Sequence, residues 1–288
     1  MNIIVTGSAG FVGSHLVERL KLIGHHVLGV DKKTGDDLTD LKTLDYMSDK
    51  MPSVDFIFNL AGTCSTPRGF TEPLEAFENN TRATFHLMLF AKAKGAKVIH
   101  TSTVKAQESD DGMYTPYGLT KLMGEMSVKE FEDSFGVQTL INRPGTIYGP
   151  GQHGSDESGW LGWFIAAGVT GRKVTINGDG SVVRDVLYVL DYVRLLIDQM
   201  NRFDEYHDKG WPHFAVGGGN PNAVTILQAA NLIKELTGLD FEFGPTRKGD
   251  NARLVADGSL LDFWEPLTDW QDGIKQTVTW YQKHKELL

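Results

Sequence analysis

Five short apolar runs punctuate the first half of the chain, at residues 3–5, 27–30, 56–60, 97–100 and 138–141, each bounded by glycine or polar residues. Their unbroken apolar character, without alternation, predicts strands buried on both faces. Between them, the 3.6-residue recurrence of apolar positions predicts helices over 11–23, 38–47, 73–94 and 114–135. Strand–helix alternation with short connections implies right-handed crossovers, hence an α/β fold with a doubly wound parallel sheet. From Gly151 the rhythm breaks. Clusters such as Gly178-Asp179-Gly180 and Gly217-Gly218-Gly219 separate shorter elements, which predicts a smaller C-terminal lobe. The expected division is a dinucleotide-binding domain over 1–150, to which 181–216 returns, and a mainly substrate-binding lobe over 151–288.

The turn after the first strand is Gly7-Ser8-Ala9-Gly10-Phe11-Val12-Gly13. Glycines there permit a tight turn, let backbone N–H groups approach a pyrophosphate at the positive end of the first helix, and allow close helix–strand packing. The spacing is G-x-x-G-x-x-G and not G-x-G-x-x-G. Its context, a strand before and a helix after, makes it a Rossmann-type cofactor turn. Asp31 closes the second strand, where a carboxylate accepts from ribose hydroxyls and repels a 2′-phosphate, so NAD is favoured. Lys32 and Lys33 beside it leave NADP open.

Composition narrows the partners. Among 288 residues, 37 acidic outnumber 28 Lys and Arg, for a net charge of −9, which argues against a nucleic-acid or anionic-membrane surface. One cysteine, Cys64, excludes an internal disulfide and a multi-cysteine metal site, and the His25-His26 pair has no third ligand at helical or hairpin spacing, so no metal is expected. A buried, inert thiol is the default for Cys64. No apolar run reaches bilayer length and the N-terminal residues carry no signal pattern, so a cytoplasmic enzyme is expected.

Tyr117 and Lys121 stand four apart on a predicted helix and so share a face. A lysine charge lowers a phenol's pKa whereas burial alone raises it, and a tuned phenol can take a hydroxyl proton and return it. The pair follows a strand ending in His100-Thr101-Ser102-Thr103, whose hydroxyls lie at the carboxyl edge where open α/β sheets bind ligands.

Together, the glycine turn, Asp31, Asn59-Leu60-Ala61-Gly62, Asn80, Thr101-Ser102-Thr103, Tyr117-x-x-x-Lys121 and Arg143-Pro144-Gly145-Thr146-Ile147-Tyr148-Gly149-Pro150 resemble an extended short-chain dehydrogenase/reductase of the NAD-dependent epimerase/dehydratase family, acting on nucleotide sugars. The resemblance continues through Arg184-Asp185 and Arg247-Lys248-Gly249-Asp250, across nearly the whole chain. It implies that Thr103 binds the reacting oxygen, with Ser102 as fallback if the strand slips by one residue. It makes Tyr117 the acid/base and Lys121 the partner that tunes it and holds the nicotinamide ribose. Gly7, Gly10, Phe11, Val12, Gly13, Asp31, Asp37, Leu38, Leu60, Ala61, Gly62, Asn80, Tyr117, Lys121 and Pro144 are implied around the cofactor. Thr146, Arg184, Arg247 and Asp250 are implied around the substrate, where arginine forks would hold a diphosphate. A homodimer built on the Tyr117 helix is implied as well, although a core face explains Met123, Met126, Phe131 and Phe135 equally.

The departures discriminate within the family. A dehydratase has an Asp-Glu pair after its catalytic Thr, and here Val104 and Lys105 follow Thr103. Gln107-Glu108 replaces an expected Val-Tyr-Gly, Thr146 stands where Asn is frequent, and Asn59 stands where His is frequent. The favoured activity is therefore nucleotide-sugar epimerisation with bound NAD. An NAD(P)-dependent reductase of a keto-sugar or other carbonyl is the first competitor, and a non-catalytic dinucleotide sensor the second. Trp160, Trp163 and Phe164 at helical spacing read as a core stripe.

Overall fold

The computed structural model describes all residues except 156–158, 211–212, 247–250, 257–259, 261–262 and 288. The chain forms two compact units, one made of Met1–Gln107, Thr115–Arg143 and Val193–Phe214, the other of Glu108–Tyr114, Pro144–Tyr192 and Ala215–Leu288. Each is built around its own apolar core.

In the first unit, β1 (Asn2–Thr6), β2 (His26–Val30), β3 (Phe56–Asn59), β4 (Lys97–Thr101) and β5 (Thr139–Pro144) coincide with the five apolar runs to within a residue or three. They lie in a sheet ordered β2-β1-β3-β4-β5-β9, with β9 spanning Phe214–Val216, and the pairs from β2 to β5 are parallel. Ile3, Ile4 and Val5 have no exposed surface, as expected of a strand covered on both faces. The helices are α1 (Phe11–Leu22), α2 (Leu41–Lys50), α3 (Thr66–Thr71), α4 (Pro73–Phe77), α5 (Ala83–Lys94) and α6 (Pro116–Phe135).

Three boundaries differ from the sequence pattern, each for a local reason. Helix α2 starts at Leu41 and not at 38, because the Asp40 carboxylate accepts the Lys42 N–H as an N-cap; Leu38 is buried in the preceding non-helical segment. Helix α6 starts at Pro116, with Thr115 capping the Gly118 N–H. The helix expected over 73–94 is interrupted by a wide π turn at Glu78–Arg82 that buries Asn80 and Thr81. Such turns recur at functional sites, and this one faces the segment after β3.

In the second unit, β6 (Thr146–Tyr148), β8 (Val183–Tyr188), β10 (Ala223–Thr225) and β12 (Arg253–Leu254) form a mixed sheet centred on β8, and β7 (Val174–Asn177) pairs with β11 (Phe241–Gly244). Helices α7 (Trp160–Thr170), α10 (Ile226–Thr237) and α11 (Trp270–Lys283) enclose its core, against which Trp160 and Trp163 pack and in which Phe164 is buried. Helix α8 (Val189–Asn201) begins in the second unit and ends in the first, followed there by α9 (Phe203–His207). The stretch 181–216 is thus divided, only 193–214 belonging to the first unit.

Candidate active site

The glycine turn is held by backbone-to-backbone contact. Gly7 sits at φ +68°, and a Cβ there would lie 2.8 Å from the Leu60 carbonyl carbon. A Cβ on Gly13 would come within 2.1 Å of the Gly7 carbonyl oxygen. The Gly10 N–H donates to Gly7 O at 2.9 Å, and Gly10 caps α1 without a side chain, in a first turn that has no acidic residue. The positive end of a twelve-residue helix is therefore presented by glycine backbone with Phe11 and Val12 following, which suits a pyrophosphate.

Asp31 fastens this turn to the end of β2. Its carboxylate accepts the Ala9 N–H at 2.9 Å and the Lys33 N–H at 2.8 Å, and each oxygen keeps a lone pair for a ribose hydroxyl. Lys32 forms a 3.0 Å ion pair with Asp37. Asp37 also accepts from the Thr39 N–H and hydroxyl; burial raises its pKa, but these bonds and Lys32 outweigh it and hold the group below the usual carboxylate value. A carboxylate presented to the ribose, with Lys32 paired to Asp37, fits NAD better than NADP. The Leu38 carbonyl lies 2.9 Å from the His86 ring.

Beyond β3, Leu60, Ala61 and Gly62 run along the sheet edge. The Ala61 N–H donates to the Thr6 hydroxyl, which donates to Asn59 Oδ1 at 2.8 Å, and Asn59 Nδ2 donates to the buried His100 ring at 3.0 Å. Here Asn59 does the bridging that the sequence left as a plain replacement for His. From the π turn, Asn80 accepts the Thr63 N–H at 2.8 Å and donates to the Thr120 hydroxyl on α6 at 3.0 Å. A Cβ on Gly62 would touch Asn80 Oδ1 and approach Lys121 Nζ, so this backbone, the π turn and α6 meet at one point.

Tyr117 and Lys121 are both buried there, with Thr103 close enough to the phenol to act on it. The packing explains the placement. A Cβ on Gly69 of α3 would lie 2.9 Å from the Tyr117 N, and one on Gly118 would lie 2.1 Å from the Lys105 carbonyl oxygen. Glycine at both positions lets α3 and the 103–106 turn close on the start of α6. Lys121 Nζ donates to the Thr101 carbonyl at 2.7 Å, and burial brings its pKa down to about 8 against the opposing pull of Glu125 and Cys64. Burial pushes the Tyr117 phenol above its ordinary value, Cys64 adds to this, and only the Thr103 bond pulls it back. The lowering by Lys121 expected from the sequence does not govern, because desolvation of a buried phenol is the larger effect.

Two other expectations change. Ser102 does not face the phenol: its hydroxyl donates to Glu125, which also takes a two-pronged contact from Arg143 at 2.8 and 2.6 Å. Glu125 is therefore held by Arg143 and is not simply an i,i+4 partner of Lys121. Cys64 is exposed and close enough to act electrostatically on Tyr117 and Lys121, where a buried thiol was expected. The Arg143–Glu125–Ser102 cluster was not legible beforehand, since Arg143 and Ser102 lie 18 and 23 residues from Glu125 and each alone resembles a surface or turn residue.

The remaining predicted residues lie in the second unit. Pro144 is buried at the end of β5, and half-buried Thr146 pairs with Val186 of β8. Arg184 is buried with one guanidinium nitrogen on the carbonyls of Val183 and Asn251, at 2.8 and 2.9 Å. Next to it, buried Asp185 accepts the Ala256 N–H at 2.8 Å, and burial raises its pKa to about 6. Its contacts explain two glycines, because a Cβ on Gly145 or Gly217 would collide with the carboxylate. Arg247 and Asp250 lie outside the described residues. Among the described residues, no group of acids, histidines and cysteine is placed to hold a metal ion, and no helix is long and apolar enough to cross a membrane.

A model of the NAD dependent epimerase/dehydratase family matches residues 3–217. UDP-glucuronic acid decarboxylase 1 of Danio rerio is 30% identical, over 99% of this chain and 73% of its own. A UDP-glucose 4-epimerase from Thermotoga maritima, solved with UDP-glucose, superimposes with a TM-score of 0.86 at 28% identity, covering 98% of this chain and 99% of that one. MoeE5, solved with UDP-glucose and NAD, gives a TM-score of 0.83 at 29% identity over the full length of both chains.

Proposed function

Since the chain belongs to the NAD-dependent epimerase/dehydratase family, we propose that it is a nucleotide-sugar epimerase that keeps its NAD through each turnover. One observation supports this above the others: Tyr117 is buried close enough to the Thr103 hydroxyl for that group to act on the phenol, with Lys121 one turn along the same helix. When bound, NAD accepts and returns the hydride, and its positive ring favours phenolate. Thr103 orients the reacting sugar hydroxyl, Tyr117 takes that hydroxyl's proton as the carbon is oxidised, and Tyr117 returns it once the hydride is restored to the opposite face. Lys121 supplies positive charge beside the phenol and a donor for the nicotinamide ribose. Thr146, Arg184, Arg247 and Asp250 are proposed to receive the nucleotide portion, the relatives' UDP-sugars indicating its class.

The 103–106 turn separates this activity from others in the family. Val104 follows Thr103, and Lys105 Nζ is fixed on the Thr66 hydroxyl at 3.0 Å. No carboxylate on this turn can assist loss of water or of a carboxyl group. Epimerisation needs only one hydride and one proton, both returned. The test is a panel of UDP-sugars incubated with purified protein, read by NMR for interconversion, together with the NAD content of the protein. Interconversion without net NADH formation supports the reading. Stoichiometric consumption of NAD(P)H with a keto-sugar would make it a reductase, and no turnover on any sugar would count against both.

A homodimer belongs to the same reading. Phe85 and Leu89 on α5, and Leu119, Met123 and Met126 on α6, form exposed apolar rows on two helices joined by an edge-on Phe85–Phe131 contact at 5.3 Å. Met126 is 64% exposed. A standard dimer buries about 800 Å² per partner, and a lysine in that patch strands a charge. Met126→Lys is expected to convert the dimer to monomer in size-exclusion chromatography with light scattering; a monomeric wild type would refute the assignment. A cytoplasmic site of action is proposed as well, in keeping with one free cysteine.

A further inference from the structure

We infer that Glu125, clamped between Arg143 and Ser102, is a positioning residue that sets the charge carried by Lys121 and holds the end of β4 so that Thr103 meets Tyr117. The inference rests on the reading of Tyr117 and Lys121 as the working pair, and concerns how the protein keeps that pair ready.

The geometry is specific. Glu125 is buried one turn beyond Lys121 on α6, and i,i+4 residues share a helix face. Arg143, at the end of β5, grips both carboxylate oxygens, from Nε at 2.8 Å and from the terminal nitrogen at 2.6 Å. Ser102 donates to the same carboxylate from the residue just before Thr103. One carboxylate thus ties three elements together: the helix carrying Tyr117 and Lys121, the segment just after β4 that leads to Thr103, and β5. A simple scaffold could be made from apolar side chains at lower desolvation cost. A buried anion beside a buried lysine does something an apolar scaffold cannot.

Lys121 is faced by Tyr117 and Glu125 from α6, by Cys64 from the loop after β3, and by His100 from β4. His100 is neutral, since burial and the Lys121 charge hold it well below its ordinary value. That leaves the Glu125 carboxylate as the main group opposing the desolvation of Lys121, with Cys64 adding to it. Arg143 moderates Glu125. Without it the carboxylate would face Lys121 undiluted, and without Glu125 the lysine would face a neighbouring arginine instead of an ion pair.

Opposite charge changes must therefore move Lys121 in opposite directions. The protein is labelled with 13Cε-lysine, and the Lys121 resonance is identified by its loss in Lys121→Arg. Its titration is then followed by NMR in the protein as purified. Glu125→Gln is expected to lower the Lys121 midpoint by about one pH unit, and Arg143→Met to raise it by a similar amount. Arg143→Lys, which keeps the charge and loses the fork, is expected to titrate close to the wild type while melting at a lower temperature. A merely structural cluster would loosen in both charge variants and shift the midpoint the same way in each. That outcome, or no shift in either, overturns the inference. Because turnover is not read, a protein inactive on every sugar would refute the epimerase reading and leave this result standing.

Discussion

Tyr117→Phe is expected to lower kcat by roughly 10²- to 10⁴-fold, the usual contribution of a positioned acid/base, while NAD content and substrate KM stay close to wild type. The substitution removes one oxygen from a buried ring whose backbone is packed against Gly69, so the shape of the site survives. Only the phenolic oxygen that would carry the proton is lost, next to the Thr103 hydroxyl. Steady-state kinetics on the UDP-sugar identified in the panel, with cofactor quantified in the denatured protein, separates the outcomes. Unchanged kcat would remove Tyr117 from the reaction and restore the view of the chain as a dinucleotide sensor. Loss of NAD together with kcat would mean that the phenol acts in binding.

Gly13→Ala is expected to cost the protein its cofactor and about 3 kcal/mol of stability, lowering Tm by roughly 10 °C. The added methyl would stand 2.1 Å from the Gly7 carbonyl oxygen, a fixed backbone atom and not a flexible tip. Either the turn or the first turn of α1 must move, and both present N–H groups to the pyrophosphate. Differential scanning calorimetry and the NAD content of the purified variant check the two effects. A variant that melted like the wild type with full NAD would show that the turn has room the geometry denies it.

The contrast between these residues separates local from tertiary information. The glycine turn, Asp31 and the Tyr117/Lys121 spacing were legible because each is encoded within a few residues of one strand, turn or helix. Likewise the parallel sheet was legible, since buried strands are continuous apolar runs and the chain alternates them with helices. The π turn was not. Its residues lie inside a longer helical pattern with no glycine or proline to break it, and the widening becomes apparent only where Asn80 reaches the Thr63 N–H and the Thr120 hydroxyl. Burial of the Tyr117 phenol, which outweighs the expected effect of Lys121, is a property of packing and not of spacing.

The chain's own order of residues determined the strand sequence, the cofactor turn and the helix that pairs phenol with ammonium, because all three follow from short-range periodicity and backbone preference. Only tertiary structure decided that Thr103 and not Ser102 meets Tyr117, that Arg143 holds Glu125, that Lys32 is spent on Asp37, and that Cys64 is exposed. Those outcomes depend on which groups from distant segments arrive together and how much water they lose on arrival. A sequence pattern does not carry that information, since desolvation and charge pairing are set by neighbours in space.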